Sequence, residues 1–403
     1  MNVLFVHEVD WLKKVVFDIH TLAESLSLLG HQIYAIDYEN TWQRDGLSGL
    51  GTLKTLEING VSRAFDGSSV HLRRPGFIKI PGLSRLSAGV THYFEIKKTT
   101  KEKNIDVMVL YGVATNGLQA VRLAKQHKVP VVFRSIDIAN QLVPYAHLRY
   151  PTRILEKKLY SRVDMILTLT PGLTGYVTKL GAEAKKVKLL PMPVDTKLFY
   201  PFPPPTELAR RWEIKPDDPV ILYMGTLFDF SGLDLMIRQF PRIVREIPRA
   251  KLLIVGDGPQ RPKLKSIIRE TGLLKKVSIT GFQPYDTMPQ YLNLATVCVN
   301  PFLVTGATRD IFPGKIVQYL ACAKPVVATP LPGLVAVTPG EEQGMVYAAN
   351  PEDMTDKLIR LLKESEYRQK LGSSGLDYVR RVHSYESIAD QLEARLREAI
   401  DAK

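Results

Sequence analysis

Cysteine is the scarcest reactive residue in this chain: there are two in 403 residues, Cys298 and Cys322, both inside apolar runs. That excludes a disulfide scaffold and fits a reducing compartment. The eight histidines show no paired Cys or His spacing of the metal-ligand kind, so no metal centre is expected. No Asn-x-Ser/Thr sequon occurs. The opening MNVLFVHEVDWLKK lacks the basic-then-apolar order of a secretory leader and reads as a first strand. Long hydrophobic runs are missing too. The longest uncharged stretch, Thr287 to Thr308, is interrupted by Pro289, Asn293, Asn300, Pro301 and Gly306, too often for a spanning helix. The expectation is a soluble, cytoplasmic protein.

What is present is ordinary in bulk, with 45% hydrophobic and 24% charged residues. A chain of this length can bury full cores in two domains without a metal or disulfide staple. Its charge is less ordinary. There are 54 Lys and Arg against 41 Asp and Glu, net +13, and residues 1–200 carry +10 of that excess. Between Arg73 and Lys103, eight basic residues face only Glu95 and Glu102, interleaved with Phe77, Ile80, Leu83, Leu86 and Phe94. Such a stretch is either a solvated surface or a reversible contact with an anionic membrane, where each cation adds roughly 1 kcal/mol. Nucleic acid is not expected, because no helix-turn-helix, zinc-finger or RNP signature accompanies the charge.

Short apolar runs at 2–6, 32–37, 106–112, 129–135, 163–170 and 189–193 alternate with helical periods, such as Ile19, Leu22, Ala23, Leu26 and Leu29 before Gly30. Pro201, Pro203, Pro204 and Pro205 then mark a stiff segment, after which runs at 219–225, 251–258, 276–282, 296–302 and 324–329 restart the pattern. Strands separated by helices mean parallel sheets covered on both faces. The expected class is α/β, with two doubly wound, Rossmann-like domains facing across a cleft. The expected boundaries are an N-terminal domain at 1–198, a Pro-rich linker at 199–212, a C-terminal domain at 213–380, and a helix at 381–403 that packs back on either domain.

Open parallel sheets bind ligands beyond the carboxyl ends of their strands. The most informative strand-end segment is TRDIFPGKIVQYLACAKPVVAT, 308–329. Pro313 suits the first turn of a helix, and Lys315 and Gln318 share a side of it. Asp310 lies in the loop before. A helix start with amides at Gly314 and Lys315, a lysine, a carboxylate and an amide suits a diphosphate with sugar hydroxyls. The plainer reading is a capped core helix with a surface lysine.

This segment resembles the donor-site motif of retaining GT-B glycosyltransferases, the group related to glycogen synthases and phosphatidylinositol mannosyltransferases. Their motif is E-x7-E followed by A-x-A-x-G-x-P-V-V-A; Asp310 and Gln318 occupy the two acidic positions, with YLACAKPVVAT in register. Further blocks follow in family order over nearly the whole chain: LLGHQI, VDMILTLT, LLPMPVDTKLF, ILYMGTLFDFSGLDLMI, IVGDGP, TGFQPYDTMPQYLNLATVCVNPF and HSYESIADQLE. The resemblance implies that Asp310 contacts the donor sugar, Gln318 the ribose, and Gly314 and Lys315 the phosphates. It also implies that Gly225 gives the phosphates clearance and that Phe282 lies near the base. The family's phosphate-binding Arg and Lys are replaced here by Thr226 and Ser231. Lys315 and Arg309 are the cations that could stand in for them.

In the N-terminal half, the family's Gly-Gly loop and histidine are replaced by HEVDWLKKVVFD and by Ile136–Asp137. His7, Glu8, Asp10 and Asp137 all end strands, so each is either an acceptor-side group or a loop cap. The expected catalytic set is Asp310, Lys315 and Asp137. What the resemblance implies overall is a metal-independent hexosyltransferase without a cofactor. It would move a sugar with retention from a UDP- or GDP-sugar to a lipid-linked or saccharide acceptor at the cytoplasmic membrane face, with peripheral attachment there. The alternatives are a GT-B partner or regulatory subunit with weakened chemistry and a sugar-nucleotide epimerase of similar architecture. A lone Gly-x-Gly at 256–258, with no G-x-G-x-x-G after strand one, argues against a dinucleotide enzyme.

Overall fold

The computed structural model describes residues 1–39, 50–80, 83–143 and 145–403. These divide into two compact units: Met1–Pro191 with Tyr385–Lys403, and Met192–Ser384.

The first unit holds β1 (Asn2–Val6), β2 (Gln32–Ile36), β3 (Leu56–Val61), β4 (Val70–Arg74), β5 (Val107–Leu110), β6 (Val131–Ser135), β7 (Met165–Thr168) and β8 (Val187–Leu189). They form one sheet in the order β3-β4-β2-β1-β5-β6-β7-β8, parallel throughout except for β3 against β4. Its helices are α1 (Asp18–Leu28), α2 (Ser84–Glu102), α3 (Gly117–Gln126), α4 (Ala139–Leu142), α5 (Ala146–Tyr160) and α6 (Pro171–Lys179). Strand residues alternate between two covered faces. Leu4, Val6, Met108 and Leu110 pack with α2, α3 and α5 on one, and Val3, Phe5, Val107 and Val109 pack with α1 on the other. Burial on both faces is why these strands are nearly continuous apolar runs.

The second unit contains α7 (Thr206–Arg211), β9 (Val220–Met224), α8 (Leu233–Glu246), β10 (Lys251–Val255), α9 (Arg261–Glu270), β11 (Val277–Ile279), α10 (Met288–Leu294) and β12 (Val297–Asn300). It continues with α11 (Lys315–Ala321), β13 (Val326–Ala328), α12 (Pro332–Val337), β14 (Met345–Tyr347), α13 (Pro351–Lys363) and α14 (Ser365–Val382). The sheet order β11-β10-β9-β12-β13-β14 is fully parallel and reverses at β9/β12, the switch point where open sheets take ligands.

Several details depart from the pattern read along the sequence. The final strand of the first sheet is Val187–Leu189 and not 189–193, because Pro191 and Pro193 cannot donate to a ladder; Leu190 makes the last rung, to the Thr168 carbonyl at 3.0 Å. Residues expected as a linker at 199–212 belong to the second unit. Asn293 fastens them there, donating to the Tyr200 carbonyl and accepting from the Phe202 amide, each at 3.0 Å. The closing helix α15 (Tyr385–Asp401) sits in the first unit, where Ile388, Leu392, Leu396 and Ala399 join the α1 core beside Trp11, Ile19 and Leu22.

The basic stretch at 73–103 is also not one surface. Arg73 and Arg74 end β4, the first buried and the second half-buried. Arg73 meets Glu95 at 2.7 Å and Glu57 at 3.1 Å, and Arg74 pairs with Asp10 at 2.6 Å and with Asp37. Only the remainder, on and beside α2, faces outward.

Leu392 is fully buried, so Leu392→Ala should lower the unfolding free energy by about 2–5 kcal/mol. Urea denaturation followed by circular dichroism would read this as a lower midpoint with an unchanged slope; an unshifted midpoint would place α15 outside the core.

Candidate active site

The strand ends of the second unit come together around glycines. After β9 the chain enters Gly225 at φ +137°, and after β10 it enters Gly256 at φ +149° and Gly258 at φ +158°, conformations that side chains resist. A Cβ on Gly256 would lie 2.0 Å from the Gly225 carbonyl oxygen, and one on Gly258 would lie 2.7 Å from the Leu227 amide. The two loops are then laced by backbone hydrogen bonds, Gly225 to the Val255 carbonyl at 2.9 Å and Leu227 to that of Asp257 at 3.0 Å. Gly256 also bridges to Gly281, which follows β11. With neighbouring strands roughly 4.8 Å apart, Gly281, Gly256 and Gly225 make a row on the order of 10 Å long with no side chains along it.

At one end of that row stands Lys315. A Cβ on Gly225 would sit 2.8 Å from its Nζ. The ammonium lies 3.8 Å from the centre of the Tyr223 ring and 4.4 Å from that of Phe302, a cation–π geometry on two faces. No carboxylate of the described residues pairs with it. Burial alone holds its pKa well below the ordinary lysine range. The lysine is aimed there by its own helix: Tyr319, one turn on, accepts from the Met224 amide at 2.7 Å through its hydroxyl, which locks α11 to the end of β9.

The helix head differs from the expectation. Gly314 is the N-cap and Lys315 the first helical residue, so Pro313 precedes the helix; it accepts from the Ile316 amide at 3.0 Å. α11 has only seven residues, so the lysine and the loop amides, rather than a long helix dipole, supply its positive character. Gly314 packs on Met192, whose methyl carbon would lie 3.2 Å from an added Cβ. Asp310 is partly buried, and its backbone presses on Gly333, whose amide donates to the Arg309 carbonyl at 2.9 Å. The Arg309 side chain is exposed. Gln318 is half-buried beside Lys315's turn, and Phe282, directly after Gly281, is 61% exposed. Thr226 is exposed, whereas Ser231 is buried in the turn before α8. The structure therefore joins Gly225, Gly314 and Lys315 closely and sets Phe282 at the far end of the glycine row. Tyr223 and Phe302 carry no signal in the sequence, because nothing in a lone aromatic residue marks it as a bed for a cation. Gly256 and Gly258 stand in the sequence only as a lone Gly-x-Gly, and their close approach to Gly225 and Leu227 appears only in the folded chain.

In the first unit, the four candidates separate by what they already hold. Glu8 Oε1 accepts the Thr115 and Asn116 amides at 2.7 and 2.8 Å, capping the start of α3. Asp10 accepts the Leu12 and Lys13 amides at 3.0 Å each and pairs with Arg74, so it is a loop cap. His7 is buried between the rings of Phe17 and Tyr111; burial, with His20 and Lys14 nearby, pushes its pKa down to about 3 and leaves the imidazole neutral. Asp137, just beyond β6, has no such structural engagement. Burial, reinforced by Asp18 and opposed by Lys14, pushes its carboxyl up to about 6. Beneath it, Arg134 and Asp18 form a fully buried pair at 2.8 Å, with the Tyr111 hydroxyl donating to Asp18 at 2.7 Å.

Two doubly wound α/β units, one with a side-chain-free phosphate-sized row ending in a bare cation, have the architecture of the GT-B glycosyltransferases. The comparisons agree. A sucrose-phosphate synthase of Thermosynechococcus elongatus superposes with a TM-score of 0.76 over 100% of both chains at 18% identity. The Anabaena protein HepE in complex with UDP and glucose does so at 0.75, over 99% of this chain and 100% of that one, at 15% identity. The glycosyl transferase 4-like domain model matches residues 18–193 and the glycosyl transferases group 1 model matches 218–364. The GDP-mannose-dependent α-(1-6)-phosphatidylinositol monomannoside mannosyltransferase of Mycobacterium tuberculosis is 24% identical over 332 residues, 81% of this chain and 83% of that protein. The chain belongs to the group 1 glycosyltransferases and is a nucleotide-sugar-dependent glycosyltransferase. No helix among the described residues is long and apolar enough to cross a membrane. No group of three or more His, Cys, Asp or Glu among them could hold a metal ion.

Gly225→Ala should place a methyl group against the Lys315 ammonium in a backbone conformation alanine resists. We expect donor-nucleotide affinity to fall by tenfold or more while the fold persists, measured by isothermal titration with UDP and GDP. Wild-type affinity in this variant would remove the glycine row from the site.

Proposed function

We propose that this enzyme transfers a hexosyl group with retention from a UDP- or GDP-sugar to a lipid-linked or saccharide acceptor at the cytoplasmic face of the membrane, without a metal or other cofactor. The observation that carries the donor half is the Lys315 ammonium, half sequestered over two rings and lacking a carboxylate. A buried cation without a counter-ion is costly, and a diphosphate laid along the glycine row supplies one. The base then stacks near Phe282, the ribose meets Gln318, the phosphates meet Gly225, Gly314 and Lys315, and Asp310 takes the sugar hydroxyls. Thr226 at the mouth donates a hydroxyl where relatives place an arginine, so Lys315, with Arg309 at the rim, carries the charge of the leaving nucleotide. Asp137 is the acceptor-side group, since its neighbours Glu8 and Asp10 are committed to capping and His7 is neutral. The mycobacterial relative makes GDP-mannose the first donor to try.

The outward remainder of the basic stretch supports the membrane half of this reading. On α2, Leu83, Leu86, Val90 and Phe94 are 47%, 69%, 57% and 62% exposed and lie on one face with Lys97 and Lys101. Binding to anionic vesicles should be reversible and should weaken as salt rises; sedimentation that ignores ionic strength would contradict it. A catalytically weakened partner subunit is the second reading, favoured by the loss of both family cations at Thr226 and buried Ser231.

Lys315→Ala should cost about 10²–10³-fold in kcat, the effect of removing one electrostatic stabiliser of a leaving group. Lys265→Ala, on the exposed side of α9, should be silent. Equal activity of the two would defeat the donor assignment. The pH dependence has a definite sign. The empty site depresses the lysine and a bound diphosphate restores it, so donor affinity should fall with rising pH before the ordinary lysine range is reached. Thermal shift with UDP- and GDP-sugars identifies the nucleotide, because a bound donor raises apparent stability by mass action. A protein that binds donor yet neither transfers nor hydrolyses it is the partner subunit.

A further inference from the structure

A second surface in the first unit repeats the chemistry of α2. Of the fifteen residues of α5, only Thr152, Glu156, Leu159 and Tyr160 are buried. Its first turns stand away from the body, leaving Tyr145 56%, Leu148 43%, Tyr150 73% and Ile154 39% exposed. At one-turn spacing, Tyr150, Ile154 and Lys158 lie in one row, and Arg149, Arg153 and Lys157 lie in the next; all six are exposed. The only carboxylate of the helix, Glu156, faces inward, accepting the Ala139 amide at 3.0 Å, the Asn140 side chain at 2.6 Å and the Tyr176 hydroxyl at 2.8 Å. The outward face is therefore cationic and apolar with no acid on it.

Position adds to composition. Ile96 of α2, Ala120 and Leu123 of α3, and Leu159 of α5 share one core, so the three helices cover the same side of the sheet. α2 and α5 each connect parallel strands, so both run against the strand direction and begin at the carboxyl end of the sheet. Their exposed first halves lie at the end of the unit that carries Glu8 and Asp137. Through Ala139 and Asn140, Glu156 also ties α5 to the loop bearing Asp137. A second copy of the chain would set these cations against a half that itself carries +10, whereas anionic headgroups complement them. Tyrosine beside basic residues suits the headgroup level of a bilayer.

We propose that the exposed first half of α5 is a second lipid-docking element, seating on an anionic bilayer together with α2. This rests on the membrane reading above and extends it. Two weak, reversible contacts on one rigid unit reinforce each other, which a single helix of this kind does not achieve. With both engaged, the Asp137 end of the first unit faces the lipid from which an acceptor headgroup would be drawn.

The test is co-sedimentation of the full chain with phosphatidylglycerol–phosphatidylcholine vesicles at low and moderate salt. Three variants are compared with the wild type: Arg153→Ser/Lys157→Ser/Lys158→Ser and Tyr150→Ser/Ile154→Ser on α5, and Leu86→Ser/Val90→Ser/Phe94→Ser on α2. All substituted side chains are exposed or peripheral to the cores, and nucleotide-induced thermal shift checks that each variant is folded. The expected result is a loss of roughly tenfold or more in vesicle partitioning for the α5 cation variant, a comparable loss for the α2 variant, and weak binding of the wild type to pure phosphatidylcholine. Wild-type partitioning by both α5 variants, with loss in the α2 variant alone, overturns the second element and leaves the α2 reading standing. No vesicle binding by the wild type overturns both. Self-association of the wild type that the α5 substitutions abolish, seen by light scattering, assigns the face to a second copy and overturns the lipid proposal.

Discussion

The Gly225 carbonyl oxygen occupies the space that a β-carbon on Gly256 would need, and the Lys315 ammonium occupies what one on Gly225 would need. Three strand ends can close to this distance only because each side chain has been reduced to hydrogen. What they make is a strip of backbone with no side chains along it. Everything else at the site is set by that strip. The Tyr319 hydroxyl fixes how far α11 stands from β9, and that spacing decides where the lysine ends.

The lysine's setting is what the proposed donor site relies on, since Thr226 and Ser231 stand where the resembled family has its two cations. Lying over Tyr223 and Phe302, it is held without a counter-ion, in a place where water reaches it poorly. An electrostatic interaction formed there is stronger than one at an open surface, because the surroundings screen it less. The cost is borne by the empty state, in which burial disfavours the ammonium. A site that is uncomfortable when empty and satisfied when occupied favours ligands carrying concentrated negative charge.

The first unit solves a different problem, placing several carboxylates near strand ends without leaving them all reactive. Asp18 is neutralised by Arg134 in a pair fully sheltered from solvent, Asp10 and Asp37 share Arg74, Glu24 is surrounded by the amides of Arg63, Ala64 and Phe65, and Glu8 caps α3. Breaking such a buried pair from one side costs about 3–5 kcal/mol, so these groups serve the fold. Asp137 stands apart because its loop is held by Glu156 through other residues, which leaves its own carboxylate to respond to what arrives.

Much of this was legible along the chain. Apolar runs alternating with helical periods are enough for a doubly wound α/β reading, because strands buried on both faces must be apolar at every position. The resemblance of the colinear motifs to the family implied that Gly225, Gly314 and Lys315 lie together, and the fold does bring Gly225 against Lys315. The antiparallel strand Leu56–Val61 escaped, because four of its six residues are exposed and its apolar content is diluted. Only tertiary structure could decide which charges are spent. Arg73 and Arg153 look alike as letters; one is enclosed by three glutamates from β3 and α2 and the other meets none, and partners that far apart in sequence leave no local pattern. The same holds for the bed beneath Lys315. Tyr223 on β9 and Phe302 just beyond β12 are distant in the chain, and they meet because β9 and β12 are neighbours in the sheet.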